Sequence, residues 1–140
     1  MPPSGKVLIV EDDDSTRLLL QAVVARNHLE PIVARDGRSA QALLAVSVYD
    51  AILLDLRLPE ISGIDILQGL DGDVRKRVVI VTAVPRDQWH AYAANVWGVI
   101  QKPFDIADLE ETLQQCLAAH VPGDENAGDR PAERVPDRRP

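Results

Sequence analysis

Five short apolar runs rich in Val and Ile punctuate the chain, at Lys6–Val10, 32–34, Ala51–Leu54, Val78–Thr82 and 99–101. Each has the length of a strand, and most are apolar at every position rather than at alternate ones. That pattern predicts parallel strands covered on both faces. Stretches with helical spacing separate them. Asp14-Ser15-Thr16 offers caps for a helix over 17–27, and the turn Asp36-Gly37 leads into a second over 38–46, where Ala40, Leu43 and Leu44 share a face. Ser62-Gly63 opens a short helix carrying Ile64, Leu67 and Leu70, and Asp71-Gly72 closes it. Pro85 stands near the start of a helix reading Trp89, Tyr92, Ala93 and Val96, and 105–120 places Ile106, Leu109, Leu113, Cys116 and Leu117 on one stripe. Strand and helix alternate five times, which predicts an α/β doubly wound open sheet. In such sheets ligand chemistry collects beyond the carboxyl ends of the strands.

Charge and composition narrow the classes of function. With 22 acidic residues against 15 basic ones, the formal charge of −7 argues against sequence-independent binding to nucleic acid or anionic lipid. A single cysteine excludes an intrachain disulfide. The apolar run at 7–10 is too short for a signal peptide or a membrane span, so a soluble cytoplasmic domain is expected. Residues 121–140 hold four prolines, two glycines and nine charged residues against four apolar ones. Such a segment buries too little to offset the entropy of ordering it. The expected organisation is a folded domain over 1–120 and a disordered tail over 121–140.

The predicted strand ends carry the chemistry. Strand one ends in Glu11-Asp12-Asp13-Asp14, strand three in Asp55, strand four in Thr82-Ala83 and strand five in Lys102-Pro103. Alone, each feature has a plain explanation: a solvated helix cap, a turn former, an unremarkable Lys-Pro. Together they bring carboxylates from separate strands to one point, which is costly unless a cation or a proton lies between them. Hard oxygen donors with room for water suit Mg²⁺. A lysine and a threonine hydroxyl beside them suit phosphoryl transfer onto a carboxylate.

The set Val7-Leu8-Ile9-Val10-Glu11-Asp12-Asp13, Asp55-Leu56-Arg57-Leu58-Pro59 with Gly63, Thr82-Ala83 and Lys102-Pro103-Phe104 resembles the response-regulator receiver domain of two-component signalling, over residues 5–118. The resemblance implies a flavodoxin-like five-stranded parallel sheet of order 2-1-3-4-5 with five helices. It implies that Asp55 accepts a phosphoryl group from a histidine kinase or phosphotransfer protein. Glu11 and Asp12 match the acidic pair that holds Mg²⁺ with Asp55 and the backbone carbonyl of Arg57. Thr82 matches the switch hydroxyl, Lys102 the lysine that pairs with the phosphoryl group, and the peptide before Pro103 is expected to be cis. Asp13 falls one place past the pair and is expected to cap the first helix. A receiver assists its own phosphorylation and is not an enzyme with an external product. With no DNA-binding segment in the sequence, the expected role is a stand-alone receiver signalling through a downstream protein target, without direct contact with nucleic acid or membrane.

Departures from the family pattern bear on the switch. Three residues before the lysine many receivers carry Tyr or Phe, whereas this chain has Val99, which has no ring to rotate. Thr82 and Lys102 are 20 positions apart, so a shortened fourth-helix region is expected. Trp97 would share a face with Val99 if the strand reached it, with core packing its favoured role. Arg57 and Val84 are expected to flank the mouth of the site, where receivers tune hydrolysis. The alternative function is a receiver-like interaction module that does not depend on phosphorylation. A phosphatase using Asp55 would want an acid where Arg57 stands. Arg75-Lys76-Arg77 lacks interleaved aromatics and carries little weight as a nucleic-acid contact. His28, His90 and His120 are expected at the surface, and Cys116 is expected as a packed thiol.

Overall fold

The apolar runs form the centre of the structure, a computed structural model in which residues 5–120 are described. The tail expected over 121–140 lies outside the described residues. Strands β1 (Lys6–Val10), β2 (Glu30–Ala34), β3 (Ala51–Leu54), β4 (Val78–Thr82) and β5 (Gly98–Gln101) pair in parallel in the order β2-β1-β3-β4-β5. Side chains alternate between two apolar cores. Val7, Ile9, Leu53, Val79 and Val81 face Leu20, Val24, Leu109 and Leu113 from α1 (Asp14–Arg26) and α6 (Ile106–Ala119). Leu8, Val10, Ile52, Leu54, Val78 and Ile80 face Ala40, Ile66, Leu67 and Trp89 from α2 (Gly37–Val46), α3 (Gly63–Gln68) and α5 (Arg86–Trp89). Helices on both faces explain why these strands carry no polar side. The winding reverses between β1 and β3, so their carboxyl ends border the crevice of the fold. Among the described residues no helix is long and apolar enough to cross a membrane.

Side-chain caps set the helix starts. Asp13 accepts from the Thr16 amide at 2.9 Å and from its hydroxyl at 2.7 Å, and Asp36 accepts from the Ser39 amide at 2.7 Å. Ser62 and Asp105 do the same for α3 and α6. Asp13 is therefore the helix cap expected from its position.

Several local expectations need correction. β2 begins at Glu30 rather than Ile32, because Pro31 is compatible with a strand at the edge of the sheet. The Glu30 amide donates to the Gly5 carbonyl at 2.8 Å, so by alternation the Pro31 nitrogen faces the open edge, where its missing hydrogen leaves the ladder intact. Asp71-Gly72 does not end the structured segment. It opens a further turn, α4 (Gly72–Arg75), which gives six α-helical segments among the described residues instead of five. The helix expected to carry Trp89, Tyr92, Ala93 and Val96 is only the single turn α5 and a 3-10 turn, His90–Tyr92. Trp89 leaves helical geometry at φ −127°, and Asn95 turns back at φ 69°. Trp97 precedes β5, so strand alternation does not reach it. It packs with Ile100 on the α1/α6 side, whereas Val99 lies in the opposite core, and Trp97 is no stand-in for a ring at position 99.

Gly63 fixes α3 against the end of β3. A Cβ there would sit 2.3 Å from the Asp55 carbonyl oxygen and 2.6 Å from the Leu56 Cα. Both are backbone atoms that cannot swing away. Gly63→Ala should therefore cost about 1–3 kcal/mol, read as a lower midpoint in urea unfolding.

His120 is half-buried rather than a surface residue. Its Nδ1 lies 2.7 Å from the Cys116 carbonyl oxygen, and its ring meets Trp97 edge-on at 5.6 Å. Burial, with the positive charges of Arg77 and Lys76 adding to it, holds the imidazolium below its usual 6.5. A depressed pKa means that the unfolded chain binds the proton more readily. Stability from this residue is thus complete above pH 6.5 and declines as pH falls through the folded value. Thermal unfolding measured between pH 8 and 5 should show that decline flattened in His120→Gln.

Candidate functional site

Glu11 and Asp55 continue the sheet ladder one residue past β1 and β3. The Glu11 amide donates to the Ala34 carbonyl at 3.1 Å and the Asp55 amide to the Val10 carbonyl at 3.0 Å. Backbone pairing therefore aims both side chains into the crevice at the winding reversal, where they are 1% and 5% exposed. Lys102 follows β5, its amide donating to the Thr82 carbonyl at 2.8 Å. Its ammonium donates to Glu11 Oε1 at 2.7 Å and to Asp55 Oδ2 at 3.1 Å. The Lys102–Pro103 peptide is cis, as expected.

Two buried carboxylates share one ammonium, so the site carries an excess of negative charge. Burial pushes the Glu11 carboxyl up from its ordinary range, and the charge of Asp55 adds to that against the opposing hydrogen bond from Lys102. Burial alone would weaken the Lys102 ammonium, but its bonds to Glu11 and Asp55 outweigh that and hold it above the ordinary lysine range. Asp12 is exposed, and one carboxylate oxygen each from Glu11, Asp12 and Asp55 lie within 4.8 Å of one another. Three hard anionic donors, one open to solvent, fit a small divalent cation that retains water.

The remaining expected residues surround this centre. Thr82 is fully buried, and its Oγ1 accepts from the Val84 amide at 3.2 Å. The Arg57 amide donates to Asp55 Oδ1 at 3.2 Å, which holds the following loop against the carboxylate, while the Arg57 side chain is exposed. Val99 is buried in the α5-side core beside Ile80, its partner on β4.

Sequence reasoning missed three residues. Arg17 is 4% exposed on α1, and its guanidinium donates to the backbone carbonyls of Glu11 at 3.2 Å and Asp12 at 3.4 Å while pairing with Asp14. A charged residue three before Leu20 on the core-facing stripe was the available signal. Trp89 Nε1 and Gln101 Nε2 both donate to the Val84 carbonyl, at 2.9 and 3.1 Å. No sequence spacing indicates a shared carbonyl. Conversely, Arg75 and Arg77 of the basic triplet are engaged with backbone: Arg75 with the carbonyls of Leu67 and Ala94, Arg77 with that of Tyr49.

A doubly wound parallel sheet with acids beyond β1 and β3 and a lysine beyond β5 defines a class of small signalling domain. The sequence matches the family described as the response regulator receiver domain over residues 7–114. The chain belongs to that family. It is 31% identical over 120 residues to the regulatory protein AtoC of Escherichia coli, covering 84% of this chain and 26% of that protein. The chain spans about a quarter to a half of the length of the curated relatives it matches. Among solved structures it resembles the response regulator protein TrrA of Thermotoga maritima in complex with Mg²⁺ and BeF, at 26% identity and TM-score 0.66, over 84% of this chain and all of that one. It also resembles the receiver domain of the sensor histidine kinase PA1611 of Pseudomonas aeruginosa, solved with magnesium in the active-site cleft. That match has 25% identity and TM-score 0.71, over 81% of this chain and 98% of the other.

Removing the Arg17 head group strands two carbonyls that hold the acidic pair in place. Arg17→Met should lose about 2 kcal/mol of stability, from hydrogen bonds made by a charged donor. Thermal unfolding of the two proteins side by side measures it.

Proposed function

We propose that this receiver domain takes a phosphoryl group onto Asp55 from the phosphohistidine of a histidine kinase or phosphotransfer protein. The observation that carries the proposal is the buried Asp55 carboxylate 3.1 Å from the Lys102 ammonium, with Glu11 and Asp12 close by. An Asp55 oxygen forms the new bond to phosphorus, the phosphorus–nitrogen bond of the donor breaks, and its electron pair stays on the imidazole. Glu11, Asp12, Asp55 and the Arg57 carbonyl would hold Mg²⁺, which when bound supplies positive charge to the phosphoryl oxygens. Lys102 supplies a second positive charge from beyond the carboxyl end of β5. The Thr82 hydroxyl, which accepts from Val84 and keeps its own proton to donate, is the hydrogen-bond donor that turns toward the new group.

The signal then passes by changed binding to a protein target. This function implies a cytoplasmic location shared with the kinase. A phosphorylation-independent interaction module is the second reading, favoured by one observation: Val99 presents no ring to couple the site to the surface of β5.

Incubation with Mg²⁺ and acetyl phosphate separates the two. We expect a hydroxylamine-labile mass gain of one phosphoryl group, reduced to background in Asp55→Asn and when Mg²⁺ is chelated. A wild-type chain that gains no mass under these conditions would favour the second reading and overturn the first.

A further inference from the structure

We propose that Trp89 and Gln101 are positioning residues that couple the Thr82 hydroxyl to α5 and the 3-10 turn through their shared hold on the Val84 carbonyl. This rests on the phosphoacceptor role of Asp55 and adds the route by which the site reaches the surface.

The hydrogen bonds form a continuous chain. The Val84 amide donates to Thr82 Oγ1 at 3.2 Å, and the carbonyl of the same residue accepts from Trp89 Nε1 at 2.9 Å and Gln101 Nε2 at 3.1 Å. Thr82 is fully buried, Trp89 is 2% exposed and Val84 is 7% exposed, so water offers little replacement for the bonds of Thr82 and Trp89, while Gln101 is half-buried. Each donor belongs to a different element. Trp89 closes α5, and Gln101 pairs with Thr82 in the β4–β5 register immediately before Lys102.

If Thr82 Oγ1 turns toward a phosphoryl group on Asp55, the Val84 amide loses its acceptor. A buried amide left unpaired is costly, so the 83–84 peptide must reorient. The rotation passes through the Val84 backbone dihedrals to the 84–85 peptide, whose carbonyl then moves relative to both donors. Trp89 is the residue at which helical geometry stops, so displacement of its indole acts directly on the 3-10 turn that follows, whose last residue, Tyr92, is 41% exposed. Val99 lies on the same strand face as Gln101 but has no polar atom to bring to this carbonyl. The coupling that an aromatic side chain at position 99 would provide is replaced by two donors converging on one oxygen.

The clamp opposes the turn of Thr82, so weakening it should favour the phosphoryl-bound form. Fluoroberyllate with Mg²⁺ serves as the probe on the full chain, with bound fluoride followed by ¹⁹F NMR and the two indole N–H resonances by ¹⁵N NMR. At saturation the Trp89 resonance should shift while that of Trp97 stays. Trp89→Phe and Gln101→Met should each bind fluoroberyllate about three- to tenfold more tightly, the equivalent of one ordinary hydrogen bond. A merely structural contact would lower the unfolding temperature and leave that affinity unchanged. Gln101→Met retains the bulk of an edge-strand side chain and carries the test if Trp89→Phe does not fold. Bound fluoride with an unmoved Trp89 resonance, or variants with wild-type affinity, would overturn the coupling. Absence of any bound fluoride would overturn the phosphoacceptor role, and the coupling with it.

Discussion

Two carboxylates, Glu11 and Asp55, are held out of water against a single ammonium, Lys102, and much of the surrounding structure serves to keep them there. Charge buried in this way is costly unless it is paired and hydrogen-bonded. The sheet ladder fixes both acids by their own amides, Arg17 grips the carbonyls of the acidic pair from α1, and Gly63 lets α3 approach the Asp55 backbone. The pairing remains one positive charge short. A site with that deficit attracts cations, and it admits further negative charge only when a cation accompanies it.

Lys102 links this charge balance to the rest of the fold. It reaches across the crevice from β5 while its amide stays bonded to Thr82 on β4. A change in charge at Asp55 is therefore felt on the strand that carries the Thr82 hydroxyl and on the strand that carries Gln101. The α5 region, reduced to a single helical turn and a 3-10 turn, has few backbone bonds of its own to resist such a change.

The strand bounds were legible where physics left one solution. β1, β3 and β4 are apolar on both faces and central, and their observed limits coincide with the runs in the sequence. The start of β2 is hidden in the sequence because proline counts against a strand until its edge position is known. The α5 region looks longer in the sequence than in the fold because Trp89, Tyr92, Ala93 and Val96 recur at helical spacing, which does not reveal that the Trp89 indole turns back to the Val84 carbonyl. The acids, the threonine and the lysine were legible because each stands at the end of an apolar run. Arg17, Trp89 and Gln101 were not, since their partners are backbone carbonyls that only the folded chain brings within reach.

Pro31 has a consequence beyond the register of β2. Its nitrogen points outward along one of the two borders of the sheet and offers no hydrogen there. Another extended segment approaching that border meets a gap in the row of donors and the charged side chain of Glu30 beside it. Fibre-like stacking of copies through β2 is thereby discouraged, because the sheet cannot be extended along that border without a gap in its hydrogen-bond ladder.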